Sequence, residues 1–361
     1  MISGRLVELV RCPDCRGRLT RSLERLICGG CDRKYPVVDG RFVDLRPAVA
    51  FEEQTKYLDK SLHADGRHEH VSPPLLSAGV RYRMLQSLFP ITAVDRVVDL
   101  GCGSGRVLYW NRNVGATLTG IDVSPYFAVE ASKEIDLLVG DLRRLPVADG
   151  AFNKAVSFDV LEHLSRDGIR AVLAEAHRVL DVGGQLFVYS HVRKNAWIAL
   201  GLRAINGVAR ALETVGFVDL SQGHLQKSDH LNPLIDHADL RRVVAECGFH
   251  IARIRYYTPL IGGVVENILV RMAERWMVRR RTSSSEGGTP TATAGEEALR
   301  AARRDAKASI NQGGVVYRGL RFLTWVMMLD ILLFGRVQSG PFFAVLMKQP
   351  DVERNVRDEM A

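Results

Sequence analysis

Four of the six cysteines in this 361-residue chain form two Cys-x-x-Cys pairs near its start. The first pair is Cys12 and Cys15, the second is Cys28 and Cys31, and twelve residues separate them. Each pair can direct two thiolates at one ion, so two pairs complete a tetrahedral four-sulfur site. Zinc is the expected metal, and because the protein supplies all four ligands the site is structural. The alternatives are a redox-active pair or structural cysteines without metal.

The segment between the two pairs, RLTRSLERLI, is long enough for a short hairpin that brings the cysteine turns together. Pro13 and Gly17, and then Gly29 and Gly30, favour tight turns around the ligands. The stretch LVRCPDCRGRL…LICGGCDRKYPVVDGRFVDL resembles the small zinc-ribbon domain that activates tRNA and translation-factor methyltransferases. The resemblance covers residues 4–46, and the same module also occurs in front of bacterial methyltransferase domains.

A second group of residues suited to chemistry lies in the segment DRVVDLGCGSGRVLYW, an apolar strand followed by a glycine-rich turn and a helix start. Gly101, Gly103 and Gly105 allow the backbone to approach a ligand, while the new helix presents free N–H groups. A dinucleotide fingerprint would require glycine at position 106, where this chain has Arg106. Asp99, two residues before the first glycine, favours a different ligand.

Further strand-like segments follow in order. ATLTGID ends in Asp122, nineteen residues after Gly103, where a carboxylate can accept hydrogen bonds from both ribose hydroxyls. LLVGDLRRLPVADGAF predicts a third strand followed by Asp141, and KAVSFDVLEHL predicts a fourth. VLDVGGQLFVYSHV predicts a helix end at Gly183 and Gly184 leading into a fifth strand. The alternation predicts an α/β fold with a doubly wound parallel sheet and a ligand at the carboxyl ends of its strands.

Taken in order, these blocks resemble class I S-adenosylmethionine-dependent methyltransferases, especially the group that carries DVLEHL after the fourth strand. The resemblance covers residues 80–257 and returns at GPFFAVLMKQP, residues 340–350, as the last strand. It implies a Rossmann-like sheet and S-adenosylmethionine as cofactor. The alternative is a doubly wound fold that binds another nucleotide.

The resemblance also implies roles for individual residues. Asp99 and the first glycines would face the methionine part of the cofactor, Asp122 would hold the ribose, and Asp141 with Leu142 would meet the adenine. The expected cofactor-binding residues are Asp99, Gly101, Gly103, Gly105, Asp122, Asp141 and Leu142.

The candidate catalytic residues are Asp159, Glu162 and His163, just past the fourth strand, where acceptor and methyl group meet in the family. Methyl transfer is an in-line displacement in which positioning contributes much, and a base is needed only if the acceptor must lose a proton. His163 is the preferred base because imidazole titrates near neutral pH. His191 and His230 are rivals. Alternatively, Glu162 and His163 brace the pocket or, as in some quinone O-methyltransferases of the group, Glu162 is a ligand of a divalent cation.

The sequence also departs from many relatives that methylate amino groups. It has no Asn/Asp-Pro-Pro-Tyr motif after the fourth strand, because FDVLEHL stands there. That favours an oxygen or carbon acceptor.

Two insertions carry apolar helical patterns. In residues 196–213 one helical face is apolar and the other is polar. The apolar positions are Ile198, Leu202, Ile205, Val208 and Leu212, and the polar positions are Arg203, Asn206, Arg210 and Glu213. The second insertion begins with a stripe formed by Val264, Val265, Ile268, Leu269, Met272 and Trp276. Residues 282–314 are of low complexity and predicted to be mobile, and VVYRGLRFLTWVMMLDILLFGRV then gives an apolar run broken by Asp330.

These helices either pack on the sheet, form a dimer interface or form an interfacial membrane patch. Trp276 and Trp325 with flanking arginines favour the membrane patch. The resulting division is a zinc ribbon (1–47), a linker and cofactor lid (48–80), a methyltransferase core (81–258), a helical, partly disordered insertion (259–339), the last core strand (340–350) and a tail (351–361).

Composition limits the location and the partners. Hydrophobic residues make up 47% and charged residues 25% of the chain, an ordinary globular composition. The formal charge of +8 permits an anionic partner, either nucleic acid or a membrane surface. MISGRLVELV has no apolar signal core, and no stretch reaches the roughly 18 apolar residues of a membrane span. We therefore expect a cytoplasmic protein, with the inner membrane face as a peripheral location.

Three functions follow. The first is methylation of oxygen or carbon in a lipidic or lipid-linked small molecule at the membrane surface. The second is RNA methylation, in which arginines of the ribbon (11, 16, 18, 21, 25 and 33) would contact phosphates. The third is a degenerate methyltransferase fold acting as a scaffold, against which the intact cofactor positions speak. The oligomeric state is left open.

Overall fold

The computed structural model describes residues 2–48, 56–58, 70–194, 196–220, 230–282 and 314–350. Within these residues eleven strands form one sheet. The strands are β1 (Leu19–Ser22), β2 (Arg25–Cys28), β3 (Lys34–Val38), β4 (Phe42–Asp44), β5 (Arg96–Leu100), β6 (Thr117–Asp122), β7 (Asp136–Val139), β8 (Phe152–Phe158), β9 (Leu180–His191), β10 (Phe249–Tyr256) and β11 (Pro341–Lys348). Their order across the sheet is β1-β2-β3-β4-β7-β6-β5-β8-β9-β11-β10.

The helices connect these strands and cover the sheet. They are α1 (Gly4–Leu9), α2 (Leu76–Leu88), α3 (Arg106–Trp110), α4 (Val129–Glu134), α5 (Arg166–Val179), α6 (Ala199–Thr214), α7 (His237–Glu246), α8 (Leu260–Val264), α9 (Arg271–Thr282), α10 (Val315–Met327) and α11 (Leu329–Phe334). A π-helical segment, Val265–Val270, joins α8 to α9. Short 3-10 turns lie at Lys56–Leu58, Arg112–Val114, Leu142–Arg144 and Leu161–His163.

The core of the sheet confirms the predicted doubly wound α/β architecture. Strands β7, β6, β5, β8 and β9 pair in parallel, and the chain reverses its strand order between β5 and β8. In such sheets a ligand binds in the crevice at this switch point, beyond the carboxyl ends of the strands. The last strand is an exception to the parallel expectation, since β11 pairs antiparallel with both β9 and β10.

Two apolar layers lie on the two faces of the sheet. Along β5 the side chains alternate, so that Val98 belongs to one layer and Val97 to the other. Helix α5 contributes Leu173 to the first layer, and α2 contributes Met84 to the second. A strand that is buried on both faces consists mainly of apolar residues, and this composition allowed β5 to be predicted from the sequence.

The N-terminal strands continue the core sheet. The predicted hairpin is present, because β1 and β2 pair antiparallel with Leu19 opposite Cys28. Strands β2, β3 and β4 continue this antiparallel arrangement, and β4 then pairs in parallel with β7, Val43 lying opposite Leu138. The ribbon therefore extends the edge of the core sheet, a feature that the cysteine pattern did not predict.

The prediction of a helix end at Gly183 and Gly184 was wrong. Helix α5 ends at Val179, and β9 begins at Leu180 and runs through both glycines. Gly183 has a positive φ of 74°, and the pairing of β8 with β9 shifts register at this point. The glycine pair therefore forms a bulge in a strand, a use that sequence alone does not separate from a helix terminus.

The predicted helices of the two insertions are present as α6 and as α8 to α11. In α6 four of the five predicted apolar positions (Ile198, Leu202, Ile205 and Leu212) are buried or partly buried, but Val208 is 53% exposed, whereas the neighbouring Ala209 is 1% exposed. Of the low-complexity segment 282–314, residues 283–313 lie outside the described residues. No helix in the described ranges is long and apolar enough to cross a membrane.

Buried polar side chains fix the insertion helices to each other and to the core. The Asp330 carboxylate, 0% exposed, accepts hydrogen bonds from the backbone N–H groups of Ile261 and Gly262 at 3.0 and 2.8 Å. Thr324 Oγ1 accepts one from Leu76 N at 2.7 Å. Asp330, which interrupts an apolar run in the sequence, thus caps the start of α8 from a distant helix.

Candidate functional site

The glycine turn after β5 forms an open cradle. Gly101, Gly103 and Gly105 have positive φ angles of 81°, 53° and 81°, a conformation that favours glycine. A Cβ atom on Gly101 would collide with the side chain of Val160, whereas nothing lies within 4 Å of a Cβ placed on Gly103. The turn is thus packed on one side and accessible at Gly103, where a ligand can approach the backbone.

Asp99 lies at the base of this cradle with an unsatisfied oxygen. The residue is 1% exposed, and its Oδ1 accepts no hydrogen bond within the described part of the chain. Burial, and then the negative charge of Asp122, raise the pKa of Asp99 to about 8. A buried carboxyl of this kind is stabilised by a cation, and the ammonium group of an amino acid has the required charge.

Asp122, at the end of β6, holds the glycine turn directly. Its Oδ2 accepts a hydrogen bond from Gly103 N at 2.8 Å, and its Oδ1 accepts one from Ser124 N at 2.9 Å. Each carboxylate oxygen has a further lone pair for a hydroxyl. The predicted ribose ligand is therefore adjacent to the predicted methionine cradle.

Asp141 and Leu142 follow β7, the third strand of the core, and the two side chains have different contacts. The Asp141 carboxylate accepts hydrogen bonds from Arg143 N at 2.8 Å and from the Arg143 guanidinium at 3.0 and 2.8 Å. Its oxygens thus cap the 3-10 turn that follows. The side chain of Leu142 lies 3.7 Å from the place of a Cβ on Gly101, so it borders the cradle.

Glu162 lies on the turn after β8, on the side of the crevice where the acceptor was predicted. It is 1% exposed, and its Oε2 accepts a hydrogen bond from Ser190 Oγ at 2.7 Å. Its Oε1 lies 3.6 Å from His191 Nε2. Burial, and then the charge of Asp159, raise the pKa of Glu162 to about 8, so the carboxyl can exchange a proton near neutral pH.

Three histidines from separate parts of the chain surround Glu162. The ring centroids of His163 and His230 are 4.6 Å apart, and those of His191 and His230 are 5.3 Å apart. His230 is delivered by its neighbours, because Leu231 N and Asn232 N donate to the carbonyl oxygen of Glu162 at 2.9 and 3.0 Å. The three rivals for the base role thus lie in one cluster.

This cluster supports two kinds of chemistry. One ligand atom from each of Glu162, His163 and His230 can be chosen so that all lie within 4.8 Å of one another. Imidazole and carboxylate groups at such spacing can transfer a proton as a general base, and they are also ligands for a divalent transition metal.

Asp159, the third candidate catalytic residue, is engaged by a partner that the sequence did not indicate. Its carboxylate is ion-paired with the guanidinium of Arg81, which lies 4.6 Å from the ring centroid of Tyr189. Asp159 also has a positive φ of 55°, a strained conformation for this residue. Arg81 stands on α2 outside any motif, so no pattern in the sequence could have identified it.

Tyr57 is a second residue that sequence reasoning missed. Its hydroxyl lies 3.2 Å from His163 Nε2, and the two rings meet edge to face. Tyr57 belongs to the segment predicted as a cofactor lid. Its role is indicated by its contact with His163 in the structure, and no motif in the surrounding sequence points to it.

The four cysteines of the ribbon converge as a metal site requires. The Sγ atoms of Cys12 and Cys31 are 3.7 Å apart, and those of Cys15 and Cys28 are 3.3 Å apart. A tetrahedral zinc site with Zn–S bonds of about 2.3 Å places its sulfurs roughly 3.8 Å apart. These residues therefore fit zinc.

A glycine and a tyrosine lie directly beside the cysteine sulfurs of the ribbon. A Cβ on Gly17 would lie 2.9 Å from Cys28 Sγ, so only glycine fits there. The Tyr35 hydroxyl lies 3.1 Å from Cys12 Sγ, a contact that can orient this sulfur.

Comparison with protein families agrees with both halves of this description. Residues 98–188 match the family described as methyltransferase domain, and residues 4–40 match the family described as Trm112p-like protein. The chain therefore combines an S-adenosylmethionine-dependent methyltransferase domain with an N-terminal Trm112p-like domain. Both resemblances drawn from the sequence are confirmed.

Curated proteins with similar sequences are methyltransferases. A ubiquinone biosynthesis O-methyltransferase of Xanthomonas oryzae pv. oryzae is 30% identical over 125 residues, 32% of this chain and 52% of that protein. Methyltransferase GfsG of Streptomyces halstedii is 27% identical over 210 residues, 53% of this chain and 71% of that protein. The probable tRNA methyltransferase 9B of Bos taurus is 36% identical over 95 residues, 26% of this chain and 20% of that protein. The chain thus spans about half the length of the first relative.

Proposed function

We propose that the whole protein is an S-adenosylmethionine-dependent methyltransferase that acts on oxygen or carbon of a lipidic or lipid-linked small molecule. One observation carries the proposal: the glycine turn with Asp99 follows β5, the Glu162–histidine cluster follows β8, and these two strands are neighbours at the switch point of one sheet. A cofactor site next to proton-transferring groups is the arrangement that methylation of a protonated acceptor requires.

The cofactor is assigned to the glycine cradle by its chemistry. The unsatisfied Asp99 carboxyl accepts the ammonium of the methionine part, and the open side of Gly103 admits the chain. Asp122 accepts the ribose hydroxyls, and Leu142 provides an apolar surface for the adenine. When bound, the cofactor supplies a methyl group on a sulfonium, whose displacement returns the bonding electron pair to sulfur.

The acceptor is assigned to the opposite side, where His163, His191 and His230 can receive a proton. As the new O–CH₃ or C–CH₃ bond forms, the proton that leaves the acceptor passes to an imidazole and then to water. His163 remains our preferred base, while Glu162 fixes the cluster through Ser190 and through the carbonyl contacts of residues 231 and 232. Asp159 acts as a positioning residue held by Arg81.

Two features support a lipidic acceptor. A ubiquinone biosynthesis O-methyltransferase is 30% identical to this chain over 125 residues, and its name specifies an oxygen acceptor. The insertion helices leave large apolar side chains exposed, Trp276 at 55% and Trp325 at 57% among them. Exposed tryptophans beside arginines are typical of proteins that rest on a membrane surface, where such an acceptor resides.

RNA methylation is the second candidate, and the similarity to a probable tRNA methyltransferase favours it. The arginines of the ribbon give limited support to RNA binding. Arg16 is ion-paired with Glu175 of the core, and Arg33 is ion-paired with Asp14, so these two arginines are occupied by protein contacts. Arg18, Arg21 and Arg25 remain exposed for phosphate groups.

The test offers both acceptor classes in parallel. Purified protein is incubated with radiolabelled S-adenosylmethionine and, separately, with lipid and RNA extracts of the source cell. Label in an organic-extractable product supports the first proposal, and label in RNA supports the second. Asp122→Ala is the control: at a cofactor concentration below the dissociation constant, labelling that arises at the assigned cofactor site should fall in this variant. No transfer together with no S-adenosylhomocysteine binding would leave the scaffold interpretation.

A further inference from the structure

Helices α10 and α11 expose apolar side chains away from the core. The inner side of α10 packs on α2, and there Thr324 and Met327 are 1% and 0% exposed. The other side of the two helices remains accessible to solvent. We call it the outer face, and it consists of Val315 (77% exposed), Val316 (64%), Phe322 (62%), Trp325 (57%), Leu332 (77%) and Leu333 (60%).

Within α10, α11 and the residues just after them that the structure describes, the exposed charges have one sign. Arg318, Arg321 and Arg336 are exposed on or beside it. Helix α10 contains no Asp or Glu, and Asp330, the acid of α11, is buried and caps α8. An amphipathic surface whose aromatic and aliphatic groups lie beside the cationic side chains of the same two helices is complementary to an anionic, apolar partner.

We propose that the outer face binds the surface of a bilayer that contains anionic lipid. Phe322 and Trp325 stack with ring centroids 6.4 Å apart and an interplanar angle of 24°, so they present a fixed aromatic pair. Tryptophan favours the boundary between headgroups and acyl chains, and arginines placed next to it contact lipid phosphates. A bilayer meets both requirements at once.

The outer face is connected to the acceptor side of the crevice. Its helix α10 caps α2 through the hydrogen bond from Leu76 N to Thr324 Oγ1 at 2.7 Å. Glu266, on the neighbouring π-helical segment, accepts hydrogen bonds from Ser77 N and Ser77 Oγ at 2.9 and 2.6 Å. The same helix α2 carries Arg81. The bilayer would thus lie one helix away from the acceptor site, an inference that rests on the proposed lipidic acceptor.

The experiment measures flotation of the full-length protein with phosphatidylcholine vesicles that do or do not contain phosphatidylglycerol. The test variant is Phe322→Ser with Trp325→Ser, and the charge variant is Arg318→Ser with Arg321→Ser. The matched control is Val94→Ser with Val182→Ser, since these residues are 82% and 80% exposed and belong to the turn before β5 and to the bulge of β9, not to the insertion helices. Circular dichroism and S-adenosylhomocysteine calorimetry check the fold of each variant.

We expect the wild type and the control to bind vesicles that contain phosphatidylglycerol. The aromatic variant should lose at least about tenfold in partitioning, because it removes two large apolar side chains from the bilayer. The charge variant should lose binding mainly to anionic vesicles. Wild-type protein that stays unbound, or an aromatic variant that floats like the wild type, overturns the inference.

Three further outcomes separate this inference from other possibilities. If light scattering finds a dimer in the wild type and a monomer in the aromatic variant, the outer face binds a second copy and the inference is wrong. If flotation fails while S-adenosylhomocysteine still binds, the methyltransferase proposal survives alone. If flotation succeeds without S-adenosylhomocysteine binding, the membrane surface survives and the methyltransferase proposal fails.

Discussion

The Asp122 carboxylate at the end of β6 accepts a hydrogen bond from the backbone N–H of Gly103 at 2.8 Å. This contact joins the second core strand to the glycine turn that follows the first. Because the same carboxylate also accepts a hydrogen bond from Ser124 N, it fixes the backbone on both sides of the strand end. One aspartate therefore connects the sheet to the turn that is proposed to bind the cofactor.

Replacement of Asp122 by alanine should weaken S-adenosylhomocysteine binding at least about tenfold. A hydrogen bond to a charged group contributes roughly 1.5–3 kcal/mol, and the carboxylate is assigned two of them with the ribose. Isothermal calorimetry measures the effect. Asp122→Asn is the control, since it can keep an oxygen acceptor for Ser124 N and should lose less affinity. Unchanged binding in Asp122→Ala would show that the ribose lies elsewhere.

Asp99 should make cofactor binding depend on pH. With a pKa raised to about 8 by burial and by Asp122, its carboxyl is protonated at pH 6 and becomes ionised as the pH rises through 8. Only the ionised form pairs with an ammonium group, so affinity for S-adenosylhomocysteine should rise between pH 6 and pH 8, by up to about tenfold per unit.

Asp99→Asn separates this effect from titration of the ligand itself. The variant cannot ionise at this position, so its affinity should be lower and nearly constant between pH 6 and pH 8. The ratio of wild-type to variant affinity at each pH is the measurement, because any proton exchange on the ligand cancels in it. A ratio that does not change with pH would contradict the assigned ammonium contact.

The zinc site should hold one metal ion per chain and stabilise the edge of the sheet. In Cys28→Ser with Cys31→Ser, we expect the ribbon to lose zinc and to unfold, because metal binding and folding of so small a module are linked. Since β4 pairs with β7, amides of Leu138 and its neighbours should then exchange hydrogen faster. Metal analysis and hydrogen exchange check this. A double variant that keeps its zinc would refute the ligand assignment.

Motifs that are local in sequence could be predicted, and features that depend on packing could not. The pair Cys12 and Cys15 and the turn at Gly101 carry their meaning within a few residues, so both were found. The contact of His163 with His230 depends on the backbone N–H groups of Leu231 and Asn232, which donate to the carbonyl oxygen of Glu162. A spacing of 67 residues carries no signal of that contact.

Burial was the other source of error. Val208 is apolar and on the predicted face of α6, yet it is 53% exposed because Ala209 takes the buried position. Conversely, Asp330 interrupts an apolar run but is fully buried, since backbone N–H groups of α8 satisfy its carboxylate. The periodicity of apolar residues predicts the type of element. Tertiary contacts decide which of its positions are buried and whether a charged side chain within it finds hydrogen-bond partners.

His163 is where the mechanism is most open to test. If it is the general base, His163→Ala should lower turnover about a hundredfold or more and leave S-adenosylhomocysteine affinity nearly unchanged, because the imidazole meets the acceptor and not the cofactor. The rising limb of the pH–rate profile should disappear in the same variant. Tyr57→Phe is the matched control: it removes the hydroxyl that lies 3.2 Å from His163 Nε2 and keeps the ring, so it should cost much less.

Other results with the same variant assign the cluster differently. Weaker cofactor binding or a lower melting temperature, with the pH profile intact, would mean that His163 only braces the pocket. Near-normal turnover would transfer the base role to His191 or His230, which lie in the same cluster. Loss of wild-type activity on treatment with a chelator that leaves the ribbon zinc in place, restored by a divalent cation, would assign Glu162, His163 and His230 to metal binding, because their ligand atoms lie within 4.8 Å of one another.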